Sequence, residues 1–547
     1  MNVAELVGRT LAQLGVGHAF GVVGSGNMVV TNALREHGVP FTAARHEGGA
    51  ATMADAYSRM AETVAVLSTH QGCGLTNAMT GIAEAAKSRT PMIVVAADSA
   101  GSAVRSNFKV DQDALARSVG AVAERVHSAQ SAVADTVRAY RTAVNERRTV
   151  VLNLPLDVQE HEVSADTPDE VQAPAQPRAV RPNDQSVTDL IALLNAARKP
   201  VFVAGRGARA AGAELLALAE QCGALVATSA VASGLFQGQE FALGISGGFS
   251  TPTTAELITD ADLIVGWGCT LNMWTTRHGR LIGDEAVLVQ VDVEDESLGA
   301  NRPIDLGVLG DVAETARAVL DRLRADGPAV EGYRRRDVAD RIAAGSNWRD
   351  VHTDDLSGAG LIDPRVLSRR LDELLPKERV VSIDSGNFMG YPSTYLSVPD
   401  HFGFCFTQAF QSIGLGLHTA IGAALAQPHR LPVLAAGDGG FLMSISELET
   451  AVRLRIPLVA IIYNDNAYGA EVHHFGADAD LTTVTFPETD IAAIARGYGA
   501  TGITVRSIDD LTAVQSWLDG PRDTPLVVDA KVADDSGSWW LAEAFGH

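Results

Sequence analysis

Three doubly wound α/β domains, each built on a parallel sheet, are predicted for this chain by three observations. Short apolar runs alternate with helical segments along the chain. A proline- and acid-rich stretch interrupts that alternation after residue 165. The length of 547 residues also exceeds what one hydrophobic core usually organises.

The first block, 1–165, has strands at Ala19 to Val23, Val64 to Ser68, Met92 to Ala96 and Thr149 to Leu154. The stretch from Asp166 through Pro177 to Pro182 has little apolar surface to bury and reads as a linker. The second block, 187–325, opens with a helix, then the strand Pro200 to Ala204 and the loop Gly205-Arg206-Gly207. A charged helical stretch from Val330 to Arg349 crosses to the third block, 361–547.

A net charge of −23 argues against nucleic acid or an anionic membrane as partner, since both require a basic patch. No basic segment with an apolar run follows Met1, and no apolar stretch reaches membrane-spanning length, so a cytoplasmic protein is expected. Cys73, Cys222, Cys269 and Cys405 are scattered, which suits a reducing compartment and gives no zinc motif.

The chemistry is concentrated in the third block. Leu431 to Ala436 reads as a strand, Gly437-Asp438-Gly439-Gly440 as a turn, Ser444 to Leu454 as a helix, and Leu458 to Tyr463 as the next strand, followed by Asn464-Asp465-Asn466-Ala467-Tyr468-Gly469. A strand-helix-strand unit brings both strand ends to one rim of a parallel sheet, so Asp438 and Asp465 should meet there. Two carboxylates and a loop carbonyl suit magnesium bound to a diphosphate, and the three glycines let backbone N–H groups approach the anion. A simple tight turn is the plain alternative for Gly-Asp-Gly alone. Far upstream, Arg45-His46-Glu47 precedes a run of small residues, Gly48 to Ala51, that would admit a ring beside Glu47. A surface ion pair with Arg45 or His46 is its alternative.

With these motifs the chain resembles the thiamine-diphosphate-dependent 2-oxo acid decarboxylases and carboligases, the family of acetolactate synthase, benzoylformate decarboxylase and pyruvate decarboxylase. The resemblance implies pyrimidine-binding, central and diphosphate-binding domains in that order. It implies Asp438, Asp465 and the carbonyl of Ala467 as Mg2+ ligands, with Asp465 standing where the family usually has asparagine. Glu47 would hydrogen-bond the aminopyrimidine and drive its imino form. The resemblance places Ile413 as the wedge beneath the folded cofactor and the carbonyl of Gln411 at its amine, where relatives mostly have glycine. Gly386, Asn387, Gly437, Gly439, Gly440 and Tyr468 complete the cofactor-binding set. An ordinary strand-to-helix turn at Gly386-Asn387 and a core helix start at Ile413 remain alternatives.

Four residues are catalytic candidates: Glu47, His70, Ser25 and Glu471. His70 matches a histidine of benzoylformate decarboxylase and can move a proton near neutral pH. Ser25 matches a substrate-contacting serine of the same relative, and Glu471 a glutamate of pyruvate decarboxylase. A packed histidine, a turn serine and an exposed helical glutamate are the respective alternatives. Thr275 stands where benzoylformate decarboxylase has a second histidine. The segment Asn107 to Gln112 lacks the Gln and Glu that acetolactate synthases carry in register. FAD at Gly205-Arg206-Gly207 is disfavoured against a loop that closes a helix onto a sheet.

The expected substrate is a small 2-oxo acid, with an aldehyde or ketone as possible acceptor; product release as an aldehyde and carboligation both remain open. A homodimer or homotetramer is implied by the resemblance, because family sites lie between Glu47 of one copy and the metal ligands of another. A non-catalytic regulatory or assembly subunit is the contrasting class; loss of Glu47 or of a metal ligand would mark it, and neither is lost.

Overall fold

The computed structural model describes residues 1–547 except 165–167, 169, 477, 536–539 and 542–547. Most of the acidic Asp166–Glu170 segment, and Ser536-Gly537-Ser538-Trp539 of a Ser-Gly-Ser-Trp-Trp run that the sequence offers as a lid or as aromatics docked on the subunit surface, lie outside the described residues. Three six-stranded parallel sheets follow one another. The first contains β1 (His18–Gly21), β2 (Phe41–Ala43), β3 (Ala65–Thr69), β4 (Met92–Asp98), β5 (Val122–Arg125) and β6 (Thr149–Pro155). Its order is β2-β1-β3-β4-β6-β5. The second contains β7 (Pro200–Ala204), β8 (Leu225–Thr228), β9 (Ala242–Ile245), β10 (Leu263–Trp267), β11 (Val287–Asp292) and β12 (Leu306–Leu309), in the order β12-β11-β10-β7-β8-β9.

The third contains β13 (Arg379–Ile383), β14 (Phe404–Phe406), β15 (Leu431–Gly437), β16 (Val459–Asn464), β17 (Thr501–Val505) and β18 (Leu526–Lys531). Its order, β14-β13-β15-β16-β18-β17, repeats that of the first sheet. The central strands, such as β3, β4, β10 and β16, are buried throughout because helices cover both faces of a parallel sheet.

The equivalent helices of these two sheets, Glu47–Ala61 and Gly416–Ala426, pack directly on each other. Small residues allow it: a Cβ on Gly422 would lie 2.3 Å from the Met53 carbonyl. One apolar core therefore runs from Phe20, Leu67 and Val94 of the first sheet to Leu434 of the third and to Leu417 and Phe441 on the helices that flank it.

Three sequence expectations change. The short strands β2 and β5 carry no apolar run long enough to be read. The charged crossing helix is confined to Arg336–Gly345. Gly437-Asp438-Gly439 is no turn: β15 runs through Gly437 and a helix begins at Asp438, because the extended Gly437 serves as its N-cap.

Candidate active site

Register places the proposed metal ligands side by side. β15 and β16 are adjacent and parallel with Gly437 opposite Tyr463, so Asp438 and Asp465 leave neighbouring strand ends. Their carboxyl groups hydrogen-bond to each other. Burial first pushes Asp438 up to about 6. Asp465, exposed by its surface area, is pushed up to about 7, by desolvation and then by the Asp438 carboxylate. Asp438 Oδ1 is buried without a hydrogen-bond partner, and neither carboxylate forms a salt bridge among the described residues. Two crowded acids with an orphaned oxygen fit a divalent cation, which would supply the missing positive charge.

The surrounding loops are tightly held. Ala467 N–H donates to Asp465 Oδ1 at 3.1 Å, and Tyr468 N–H to the Val484 carbonyl at 2.8 Å. The Tyr468 ring covers Gly439, where a Cβ would lie 2.6 Å from Cε1. Behind them Asn464 Nδ2 donates to Asp529 Oδ1 at 2.8 Å, and buried Lys531 pairs with the other Asp529 oxygen at 3.1 Å.

Gly386 and Asn387 follow β13, next to β15, and Gly386 has a φ of 147° that disfavours any other residue. Gln411 adopts a left-handed φ of 59°, which fits its standing where relatives have glycine. Its segment is fastened by Asp384, a residue that sequence reading missed. Both oxygens of this fully buried carboxylate accept the Gly414 N–H at 3.0 Å, and one also accepts Leu415 N–H at 3.2 Å. Burial pushes Asp384 up to about 6. A polar residue directly after a strand, two before Gly386, was the available signal.

Gly386, Gln411, Ile413 and Glu471 line one cavity of about 680 Å3, whose far wall belongs to the central domain and includes Arg206 and Thr275. Glu471 is exposed at its edge, on the Gly469–Phe475 helix. Trp540 also lines it: this ring packs edge-on against Tyr391, and its Nε1–H donates to the Asn387 carbonyl at 2.8 Å. Gly205 N–H and Gly207 N–H are spent on the Trp267 and Gly268 carbonyls, and Gly205, Gly207 and Gly268 pack against one another.

Glu47, His70 and Ser25 form a second group away from that cavity. Glu47 opens the Glu47–Ala61 helix, half-buried, and accepts from Asn77 Nδ2 at 3.1 Å. Arg45 pairs instead with Glu449 at 2.6 Å, so no Arg45–Glu47 ion pair forms. His70 follows β3, and Gly24 and Gly26, flanking exposed Ser25, both abut its ring. His70 Nδ1 is buried and unpartnered. Gln112 Oε1 accepts the Gly72 N–H at 2.8 Å and fixes the loop after His70. Within one chain the helix start at Glu47 abuts Glu447, which ends the turn that continues the Asp438–Ser444 helix.

Family models match three successive stretches of the chain. Residues 1–117 match the thiamine pyrophosphate enzyme N-terminal TPP binding domain, 187–319 the central domain and 384–530 the C-terminal TPP binding domain. The chain is 29% identical to sulfoacetaldehyde acetyltransferase of Rhodobacter capsulatus, covering 94% of this chain and 90% of the relative. It is 28% identical to a probable 2-ketoarginine decarboxylase of Pseudomonas aeruginosa and 28% identical to acetolactate synthase of Bacillus subtilis, each over 93% of this chain and 90% of the relative. No helix among the described residues is long and apolar enough to cross a membrane. With all three domains matched in order, the chain belongs to the thiamine pyrophosphate enzymes.

Proposed function

We propose that this protein is a thiamine diphosphate- and Mg2+-dependent enzyme that decarboxylates a small 2-oxo acid, then releases an aldehyde or joins the remaining acyl unit to a second carbonyl compound. The observation that carries this reading is the Asp438–Asp465 pair, brought together at the adjacent ends of two parallel strands with one buried oxygen left unpartnered. When bound, thiamine diphosphate supplies the carbon nucleophile and the electron sink for loss of carbon dioxide. Asp438, Asp465 and the Ala467 carbonyl hold the metal, and Gly386, Asn387, Gly437, Gly439, Gly440 and Tyr468 surround the diphosphate.

Glu47 would hold a proton at the pyrimidine ring, while Ile413 and the Gln411 carbonyl would hold the cofactor. Glu471 and His70 move protons at the substrate carbon and carboxylate, and Ser25 orients the substrate. By resemblance to the family, Glu47 of one copy and Asp438 of another would serve each site, in a homodimer or homotetramer. Transfer of the acyl unit to a second substrate is the second reading, favoured by the cavity volume of about 680 Å3 and by the acetyltransferase relatives.

The test is product analysis by NMR with thiamine diphosphate, Mg2+ and pyruvate, benzoylformate or longer 2-oxo acids, alone and with an aldehyde, against Glu47→Gln. Aldehyde from the acid alone supports the decarboxylase and a hydroxyketone supports ligation. No turnover of any acid by cofactor-loaded protein contradicts the reading.

A further inference from the structure

Glu447 is fully buried, yet the loop it grips belongs to another domain. It ends the turn Ile445–Glu447 that continues the Asp438–Ser444 helix. Its Oε1 accepts the Arg45 N–H at 2.8 Å and the His46 N–H at 3.0 Å, and its Oε2 accepts the Thr450 hydroxyl at 2.6 Å. Arg45 and His46 are the two residues before Glu47, and His46 is the N-cap of the helix that Glu47 opens. Those N–H groups precede the first helical turn and have no carbonyl within the helix to receive them. A carboxylate there also faces the positive end of the helix dipole.

The same segment is held at two more points by the third domain: Arg45 by Glu449 at 2.6 Å, and the Ala43 carbonyl by Arg453 at 2.5 Å. Gly49 makes room for the grip, since a Cβ there would lie 2.7 Å from Glu447 Oε1. Among these contacts, Glu447 alone binds the two backbone groups adjacent to Glu47 from within the core.

We propose that Glu447 is a positioning residue for Glu47: by reaching both N–H groups at once it sets where the helix begins, and so where the Glu47 carboxylate lies relative to a bound pyrimidine ring. The inference rests on the reading of Glu47 given above. Reach matters more than charge in this arrangement. Glu447→Asp keeps the charge but withdraws the carboxylate by roughly one C–C bond, about 1.5 Å. Glu447→Gln keeps an acceptor oxygen at full reach and loses the charge.

The experiment is the rate of hydrogen–deuterium exchange at C2 of thiamine diphosphate bound to the Mg2+-loaded full-length protein, by acid quench and proton NMR, with the cofactor Kd measured alongside. Glu447→Asp is expected to slow exchange at least tenfold with Kd within about threefold of native, and Glu447→Gln to stay within about threefold of native in both. Exchange within twofold of native in Glu447→Asp overturns the inference, as does equal slowing in Glu447→Gln. Native-rate exchange in Glu47→Gln would instead overturn the underlying reading of Glu47.

Discussion

Asp384→Ala probes how the cofactor-facing segment is held. The carboxylate is fully buried and receives Gly414 N–H at 3.0 Å and Leu415 N–H at 3.2 Å. Alanine orphans both donors, and at about 1–3 kcal/mol for each the loss is about 2–6 kcal/mol. It falls on the segment carrying Gln411 and Ile413, so cofactor affinity drops with stability, tenfold for about every 1.4 kcal/mol. Asp384→Asn separates acceptor from charge. Burial raises this carboxyl to about 6, so the folded state favours the protonated form. That contribution is complete below the ordinary carboxylate value and is lost as pH rises through 6, a change of about 3 kcal/mol.

The neutral amide suffers no such loss. The urea midpoint of Asp384→Asn should therefore gain on native between pH 5 and 8, while Asp384→Ala lies below native at both. Thiamine diphosphate titration by tryptophan fluorescence completes the assay. An alanine variant binding cofactor within threefold of native, or an asparagine variant tracking native in parallel across pH, would refute the reasoning.

Three further outcomes are expected. Glu471→Gln should lower kcat for aldehyde release about 100-fold, the scale of a lost general acid, with cofactor Kd unchanged in the same titration. Gly440→Ala places a Cβ 2.3 Å from Asp384 Oδ2, and should weaken thiamine diphosphate at least tenfold in calorimetry. His418, lowered to about 3 chiefly by burial, is neutral when folded. Its stability contribution is complete above pH 6.5 and is lost as pH falls below it, so His418→Gln should remove about 2 kcal/mol of the acid destabilisation between pH 6.5 and 5, read from urea midpoints.

The third domain was the most legible part of the sequence. Alternation placed β15 and β16 within a residue or two, and a parallel register then required Asp438 and Asp465 to meet, as they do. The same logic could not find Asp384 or Glu447, because a buried carboxylate that receives backbone N–H groups from distant segments leaves no local spacing to read. Nor could it bring the start of the Glu47–Ala61 helix to Glu447: that contact follows from the packing of the Glu47–Ala61 and Gly416–Ala426 helices, a tertiary contact between similar small-residue faces. β2 escaped notice because three residues carry too little pattern. The helix at Asp438 escaped because glycines on both sides of an aspartate read locally as a turn.

The central claim is that Glu47 and the Asp438–Asp465 pair serve one thiamine diphosphate from different copies of the chain. Mixing Glu47→Gln with Asp438→Ala, each inactive alone, tests it by 2-oxo acid turnover after co-refolding or co-expression. Random pairing gives one intact site in half of the dimers, so about a quarter of native activity should return. Activity that stays at the level of the separate variants, in dimers shown to exchange subunits, would contradict the account.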